Sequence, residues 1–500
     1  MSTAAFTTKF LSRDLTASIV VFLVAMPLCM GIAVASGVPP EKGLITGIIG
    51  GIVVGALAGS PLQVSGPAAG LAVIVFEIVQ KQGLSALGPI LLLAGVLQFA
   101  AGVFRLGGWF RAISPGVVHG MLAGIGVLIV VGQFHVLFDD RPLPSGLENL
   151  AAMPGQVLGL SAMTVQSAEL AFLVGVITIA TMLAWEKFRP ATLKLIPGAL
   201  MGVLAGTLVA YFGGLDVVRV SVPESIVGAI TLPTSEGLFG INGEIVVTAL
   251  AIAFIASAET LLSAAAVDRM HDGVRTDYNK ELRAQGIGNF LCGAAGSIPM
   301  TGVIVRSSAN VQAGAMSRLS AIMHGVWILG FVAVLPWLLR EIPMSALAGI
   351  LVVTGFRLVS LKHVRHLLHN YGPLPAVIWA ATLVMVVATD LLTGVIVGIL
   401  LSLVELLPHV RRLGLKMDRR EEDERSYIDL AGTATFVTLP KLSAALDATP
   451  ADRGVRLNME RLRHIDHTCA EMLGEWLQRR RASGVETEVL GGGRFKGLPA

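Results

Sequence analysis

Residues 1–410 carry only 21 lysines and arginines and 20 aspartates and glutamates, whereas residues 411–500 carry 16 and 14. A tenth charged over four hundred residues cannot clothe a soluble body of that size; a third charged over ninety residues can. The long segment therefore needs an apolar solvent, the lipid bilayer, and the short one needs water. A nucleic-acid binder, a secreted disulfide scaffold and a soluble enzyme are excluded. The net charge of +3 names no further partner, and Cys29, Cys292 and Cys469 are too scattered to define a disulfide framework or a metal site. Lys9 and Arg13 precede an apolar stretch with no small-residue cleavage site, which reads as a first span rather than a signal peptide.

Fourteen apolar segments follow one another from 15–37 to 391–409, several shorter than the ~20 residues of a full crossing. With a cytoplasmic N-terminus, the cytoplasmic loops collect fifteen Lys/Arg against five opposite. An even number of spans returns the C-terminal domain to the cytoplasm. The expected fold is an α-helical polytopic membrane protein, residues 1–410, with two halves near 15–213 and 244–409. A charged linker, 411–425, then leads to a small α/β domain, 426–500.

Two segments break the apolar pattern in matching ways. SPLQVSGPAAG at 60–70 and GSIPMTG at 296–302 each release a short helix, at similar distances from the start of their halves. Seven spans per half is odd, so the halves enter the membrane from opposite sides. Paired interruptions in an inverted repeat point to a transporter's substrate site. Pro67 and Pro299 stand where a helix can start without losing a donor. Each helix start presents unmet N–H groups and a partial positive charge, and two such ends facing each other make an anion site. The candidate contacts are Ser65, Gly66, Pro67, Ala68 and Ala69 in the first break and Thr301, Gly302 and Val303 in the second. Arg306 lies one turn into the second short helix, where its charge favours an anion over a neutral substrate.

Glu259 is the other intramembrane charge, with Ser263 one turn later on the same face. Carboxylate, hydroxyl and nearby carbonyls would suit a hard cation such as Na⁺. A salt bridge to Arg306 or a place at a helix end would serve the carboxylate equally well. His119, His324 and Gln133 read as helix-to-helix bonds, and the glycines at 47–55 and 394–398 as close helix packing.

The runs PLCMGIAVASGVPPEKGLITGIIGG…GSPLQVSGPAAG and ETLLSAAAVDRMHDGVRTDYNKELRAQGIGNFLCGAAGSIPMTGVIVRSSANVQAG resemble the sulfate permease family of anion transporters, over residues 13 to about 410. The variant is similar to bacterial members associated with carbonic anhydrases, for which the substrate is bicarbonate. The resemblance implies two inverted seven-helix repeats, a core domain carrying both half-helices, and a gate domain that mediates homodimer contacts or scaffolding. In sodium-coupled bicarbonate members an acid and a hydroxyl occupy the positions of Glu259 and Ser263; here the acid is Glu rather than Asp. The first span lacks the carboxylate or amide that some relatives present to the site, which argues against H⁺ as the coupling ion.

Beyond the linker, strands and helices alternate, as in the STAS domain that ends most members of the family. Its characteristic turn is HIDHTC, 464–469. There Asp466 caps a helix and Thr468 occupies the place of the phosphorylated hydroxyl of related anti-sigma antagonists, with Cys469 where glycine is usual. The whole predicts a secondary transporter of the cytoplasmic membrane, without covalent chemistry or a resident cofactor, for bicarbonate or sulfate, working by elevator-like movement. A dicarboxylate carrier on the same fold, an anion channel or voltage-responsive motor, and a membrane-tethered sensor are the alternatives.

Overall fold

A backbone in lipid must satisfy its own polar groups, and the apolar segments accordingly fold as helices. The computed structural model describes residues 8–110, 114–158, 165–221, 226, 228–233, 242–268, 270–271, 273–406, 414–422, 425–435, 437–450, 453–482 and 484–494. The principal helices are α1 (Thr8–Ala35), α2 (Pro40–Ile49), α3 (Ala69–Gln82), α4 (Leu87–Val103), α5 (Pro115–Val136), α6 (Val165–Phe188) and α7 (Gly198–Phe212). They continue as α8 (Gly243–Asp268), α9 (Tyr278–Ala294), α10 (Ile304–Gln312), α11 (Leu319–Val334), α12 (Met344–Leu358), α13 (Pro373–Ala388) and α14 (Leu391–Leu406). Six described helical stretches are long and apolar enough to cross a membrane, and five further apolar helices have 10–17 residues.

The chain divides into two units: Met1–Gly107, Ile125–Leu358 and Val387–Thr389 form one, and Gly108–Gly124, Val359–Val386 and Asp390–Ala500 the other. In the first unit α1, α2, α7, α11 and α12 share a core that includes Leu28, Leu44, Val203, Ile328 and Leu347. Helix α4 packs on α9 through glycines. A Cβ at Gly95 would fall 2.6 Å from the Gly286 carbonyl oxygen, and one at Gly88 3.4 Å from that of Gly293. Apolar burial does not drive helices together in lipid, so close backbone approach through small residues does. The glycines of 47–55 act the same way: α2 runs on through a π-helical turn, Gly50–Val54, where a Cβ at Gly51 would meet Gly325 of α11 at 2.6 Å.

The interruptions are the departure from expectation. Pro67 does not open a helix. It lies in a three-residue strand, β1 (Ser65–Pro67), which pairs antiparallel with β2 (Met300–Gly302), Ser65 opposite Gly302 and Gly66 opposite Thr301. Pro299 precedes β2 instead of starting α10. The strands supply partners for backbone groups that a bare turn in the bilayer would leave unmet, and the helices begin only afterwards, at Ala69 and Ile304.

In the second unit, β3 (Leu415–Glu422), β4 (Arg425–Ala434), α15 (Leu439–Asp447), β5 (Gly454–Ile465), α16 (His467–Ala482) and β6 (Thr487–Leu490) form an α/β layer. The strand order is β3-β4-β5-β6; β4, β5 and β6 are parallel and β3 is antiparallel. Residues 415–422, expected within a linker, are thus the edge strand. Leu415 alone on it is fully buried, and its charged residues stay outside, as an edge requires. The expected boundary at 410 and residues 411–413 and 423–424 lie outside the described residues. Asp466 Oδ1 accepts the Cys469 N–H at 2.8 Å and so caps α16, while Thr468 and Cys469 are buried. A buried Thr468 hydroxyl is no substrate for a kinase in this conformation.

Candidate functional site

The β1–β2 crossing is held by polar side chains of α8, α9 and α10. Asn289 clamps β2 from both directions: its Oδ1 accepts the Met300 N–H at 2.8 Å, and its Nδ2 donates to the Met300 carbonyl at 3.1 Å. One turn back, Gln285 Nε2 donates to Ser65 Oγ at 2.6 Å and to Glu281 Oε1 at 3.0 Å. Glu281 Oε2 accepts the N–H groups of Gly59 and Ser60, at 2.8 and 2.9 Å. Glu281, Gln285 and Asn289 recur every four residues, a polar stripe on an apolar helix. That signal stood in the sequence, but these residues were missed as part of the site. From α8, the Thr260 carbonyl accepts Gln63 Nε2 and its hydroxyl accepts the Gly302 N–H. Ser307 Oγ accepts the Val64 N–H, and Asn310 Nδ2 donates to the Leu62 carbonyl. These bonds hold the crossing in one geometry, while Gln63 Oε1 and Gln285 Oε1 are left without a partner among the described residues.

Beyond the strands, neither helix start carries a side-chain cap: Ala68 precedes α3 and Val303 precedes α10. Helix α10 is turned inside out. Its polar residues Arg306, Ser307 and Asn310 are buried, while Ile304 and Val305 are 41% and 48% exposed. These two apolar residues line a cavity of about 690 Å³ that also touches Val24, Leu28, Arg189 and Arg357. At its rim Arg357 pairs with Glu186.

Arg306 is 0% exposed, and among the described residues none of its three side-chain nitrogens has a hydrogen-bond partner. A Cβ at Gly66 would fall 2.1 Å from its Nη1, so the guanidinium lies directly against β1. The expected alternative of a salt bridge to Glu259 is not formed. Instead, the Glu259 carboxylate lies at the start of α3: a Cβ at Gly70 would be 2.7 Å from its Oε2 and 2.8 Å from its Oε1. Oε2 has no hydrogen-bond partner in the structure, and Ser263, one turn on, is buried. Thr301 Oγ1 is also buried and unmet.

The structure therefore brings Ser65, Gly66, Pro67, Ala68, Ala69, Thr301, Gly302, Val303 and Arg306 together around one strand crossing, with Glu259 beside it. Chemically this is a buried cation whose nitrogens meet no oxygen or nitrogen acceptor among the described residues, with the Cys29 thiol of α1 beside it and two uncapped helix starts nearby. An unpaired buried charge is costly, and a ligand of opposite charge removes the cost.

The sulfate permease family model matches residues 11–382. The "Putative sulfate transporter YvdB" of Bacillus subtilis (strain 168) is 31% identical over 494 residues, covering 96% of this chain and 91% of that relative. The bicarbonate transporter BicA of Picosynechococcus sp. is 24% identical over 445 residues, covering 84% and 74%. Among solved structures, the transmembrane domain of a cyanobacterium BicA superposes with a TM-score of 0.65 at 23% identity, over 78% of this chain and 98% of that one. SLC26A9 superposes with a TM-score of 0.70 at 16% identity, over 96% and 84%. These two show the fold, a helical membrane transporter. With the family match spanning most of its length and a relative this similar end to end, the chain belongs to the sulfate permease family and is a multi-pass membrane anion transporter rather than an enzyme.

Proposed function

We propose that the chain is a secondary active transporter of bicarbonate or sulfate, with the anion held between the starts of α3 and α10 and paired with Arg306. The observation that carries this reading is the Arg306 guanidinium, fully buried against Gly66 with no oxygen or nitrogen partner for its donors among the described residues. Fourteen spans in two inverted repeats, a cytoplasmic N-terminus and C-terminal domain, and a homodimeric gate complete the picture. The cavity beside Ile304 and Val305 is the aqueous path to the site, and elevator-like displacement of the α3–α10 body alternates access. Glu259 and Ser263 hold the coupling ion, Na⁺, beside the anion; the carboxylate at the start of α3 is placed to balance both its helix dipole and a cation. Supply by a carbonic anhydrase fits bicarbonate as substrate.

The test is uptake of labelled bicarbonate, sulfate and fumarate by the full chain in proteoliposomes, with and without Na⁺. Saturable uptake of one inorganic anion that needs the Na⁺ gradient is expected. Linear, gradient-independent conductance would make the protein a channel, and preferred fumarate uptake a dicarboxylate carrier.

A further inference from the structure

The anion site leaves one buried group of its neighbourhood without a task. His324 on α11 is 0% exposed. Its Nδ1 lies 2.5 Å from the Ala321 carbonyl oxygen in the preceding turn, and its Nε2 has no hydrogen-bond partner in the structure. A carbonyl oxygen only accepts, so Nδ1 carries the hydrogen. In the neutral ring Nε2 is then a lone pair with nothing to accept. Leaving such an acceptor unmet and out of water costs free energy, as does leaving Arg306 unmet.

The two groups belong to one neighbourhood. A Cβ at Gly51 would fall 2.8 Å from His324 Cε1, one at Gly50 2.6 Å from the Ser65 carbonyl oxygen, and one at Gly66 2.1 Å from Arg306 Nη1. Gly50 and Gly51 lie in the π-helical turn, a helix irregularity that recurs at functional sites. Here its two successive glycines admit the His324 ring of α11 at Gly51 and the Ser65 carbonyl of β1 at Gly50. The ring also lies within the field of the Arg306 charge.

We propose that His324 reads a hydrogen on the transported anion: Arg306 donates to the anion's charged oxygens while the anion's own O–H donates to His324 Nε2. This inference rests on the anion site proposed above and narrows its substrate to a hydrogen-bearing oxyanion, of which bicarbonate is the small planar case. Sulfate and nitrate can satisfy Arg306 but have no hydrogen for Nε2. A site with a buried hydrogen-bonding group rejects the analogue that cannot use it, because the group is left unpaired. No proton changes owner and no bond breaks; the anion enters and leaves as itself.

Nitrate makes the test sharp, being planar and singly charged like bicarbonate but without a hydrogen. Affinities of both anions are measured by calorimetry on the purified full chain. The wild type is expected to bind bicarbonate at least tenfold tighter than nitrate. His324→Phe should bring that ratio close to one by weakening bicarbonate alone, with nitrate affinity as the control for an intact site. His324→Gln, whose Oε1 can accept, should keep part of the preference. A wild-type ratio of one or less, or an unchanged ratio in His324→Phe, overturns the inference; if His324→Phe does not fold, the wild-type ratio and His324→Gln decide it. Arg306→Gln separates the two claims: unchanged binding of both anions there sinks the site itself, whereas loss of both with an unchanged ratio in His324→Phe sinks only the role of His324.

Discussion

At the first chain break, Ser65–Pro67 leads into α3, and the Glu259 carboxylate lies against Gly70 in that helix's opening turn. At the second, Met300–Gly302 leads into α10, and the Arg306 guanidinium reaches back against Gly66 of the first. The backbone device is the same, a three-residue strand followed by an uncapped helix, but the charges are opposite and both come from the second half of the chain. A negative group at a helix start is favourable, so Glu259 already meets the field of α3. The unmet positive potential is concentrated at Arg306 and the start of α10. Two like helix ends would hold an anion symmetrically; this pair would hold it between them but drawn toward Arg306 and α10, with a cation's place beside it at Glu259.

Removing Arg306 should have the largest effect, because it abolishes the difference between the breaks. Arg306→Met is expected to eliminate anion uptake. With no carboxylate to orphan, it should also stabilise the fold, by roughly 1–3 kcal/mol, seen as a higher melting temperature in detergent. A destabilised Met variant would mean that the guanidinium has a structural partner.

Two glycine substitutions then probe each break separately. Gly66→Ala places a methyl 2.1 Å from Arg306 Nη1 and should lower anion affinity by about tenfold or more, the loss of one strong charge-assisted hydrogen bond. Gly70→Ala places one 2.7 Å from Glu259 Oε2 and should alter Na⁺ dependence while anion affinity changes less. Equal effects on both ligands from both variants would erase the distinction between the breaks.

Asn289→Ala tests what the breaks share. It leaves the Met300 N–H and carbonyl unmet in the interior and should cost about 1–3 kcal/mol of stability, read from thermal or denaturant melts. No change there would show that the strand pairing holds itself.

The smallest effect is expected outside the breaks, at Asp139 in the turn after α5. Burial pushes its carboxyl up from 3.8 to about 6; the Val218 N–H, 2.9 Å from Oδ2, opposes the shift and Asp216 adds to it. A carboxyl raised in the folded state contributes stability that is full below about pH 4 and lost as pH rises through 6. Asp139→Asn, which tolerates the left-handed φ of 55°, should flatten that slope in melts taken across the interval.

Much of this was legible in the residues. The two interruptions, Arg306 and Glu259 stand out because charges and irregular backbone are rare in an apolar segment. The strand pairing was not legible: Pro67 and Pro299 carry a local signal for helix starts, and only the distant partner segment turns 65–67 and 300–302 into strands. The stripe Glu281, Gln285, Asn289 is hidden because its opening stretch, YNKELRAQ, is polar and reads as loop, whereas α9 begins at Tyr278. Strand β3 escaped because LKMDRREE lacks the apolar alternation of a half-buried strand, being an edge with one buried residue. His324 looked like an ordinary helix-to-helix bond until its Nε2 proved to have no partner in the structure.

The central claim, that Arg306 awaits an anion, is tested most directly by melting the wild type and Arg306→Gln with increasing bicarbonate and, separately, sulfate. The account predicts that the wild-type melting temperature climbs with the transported anion, as mass action requires. Arg306→Gln should melt higher than the wild type without anion and show no climb. A variant that is still stabilised by the anion as much as the wild type would contradict it.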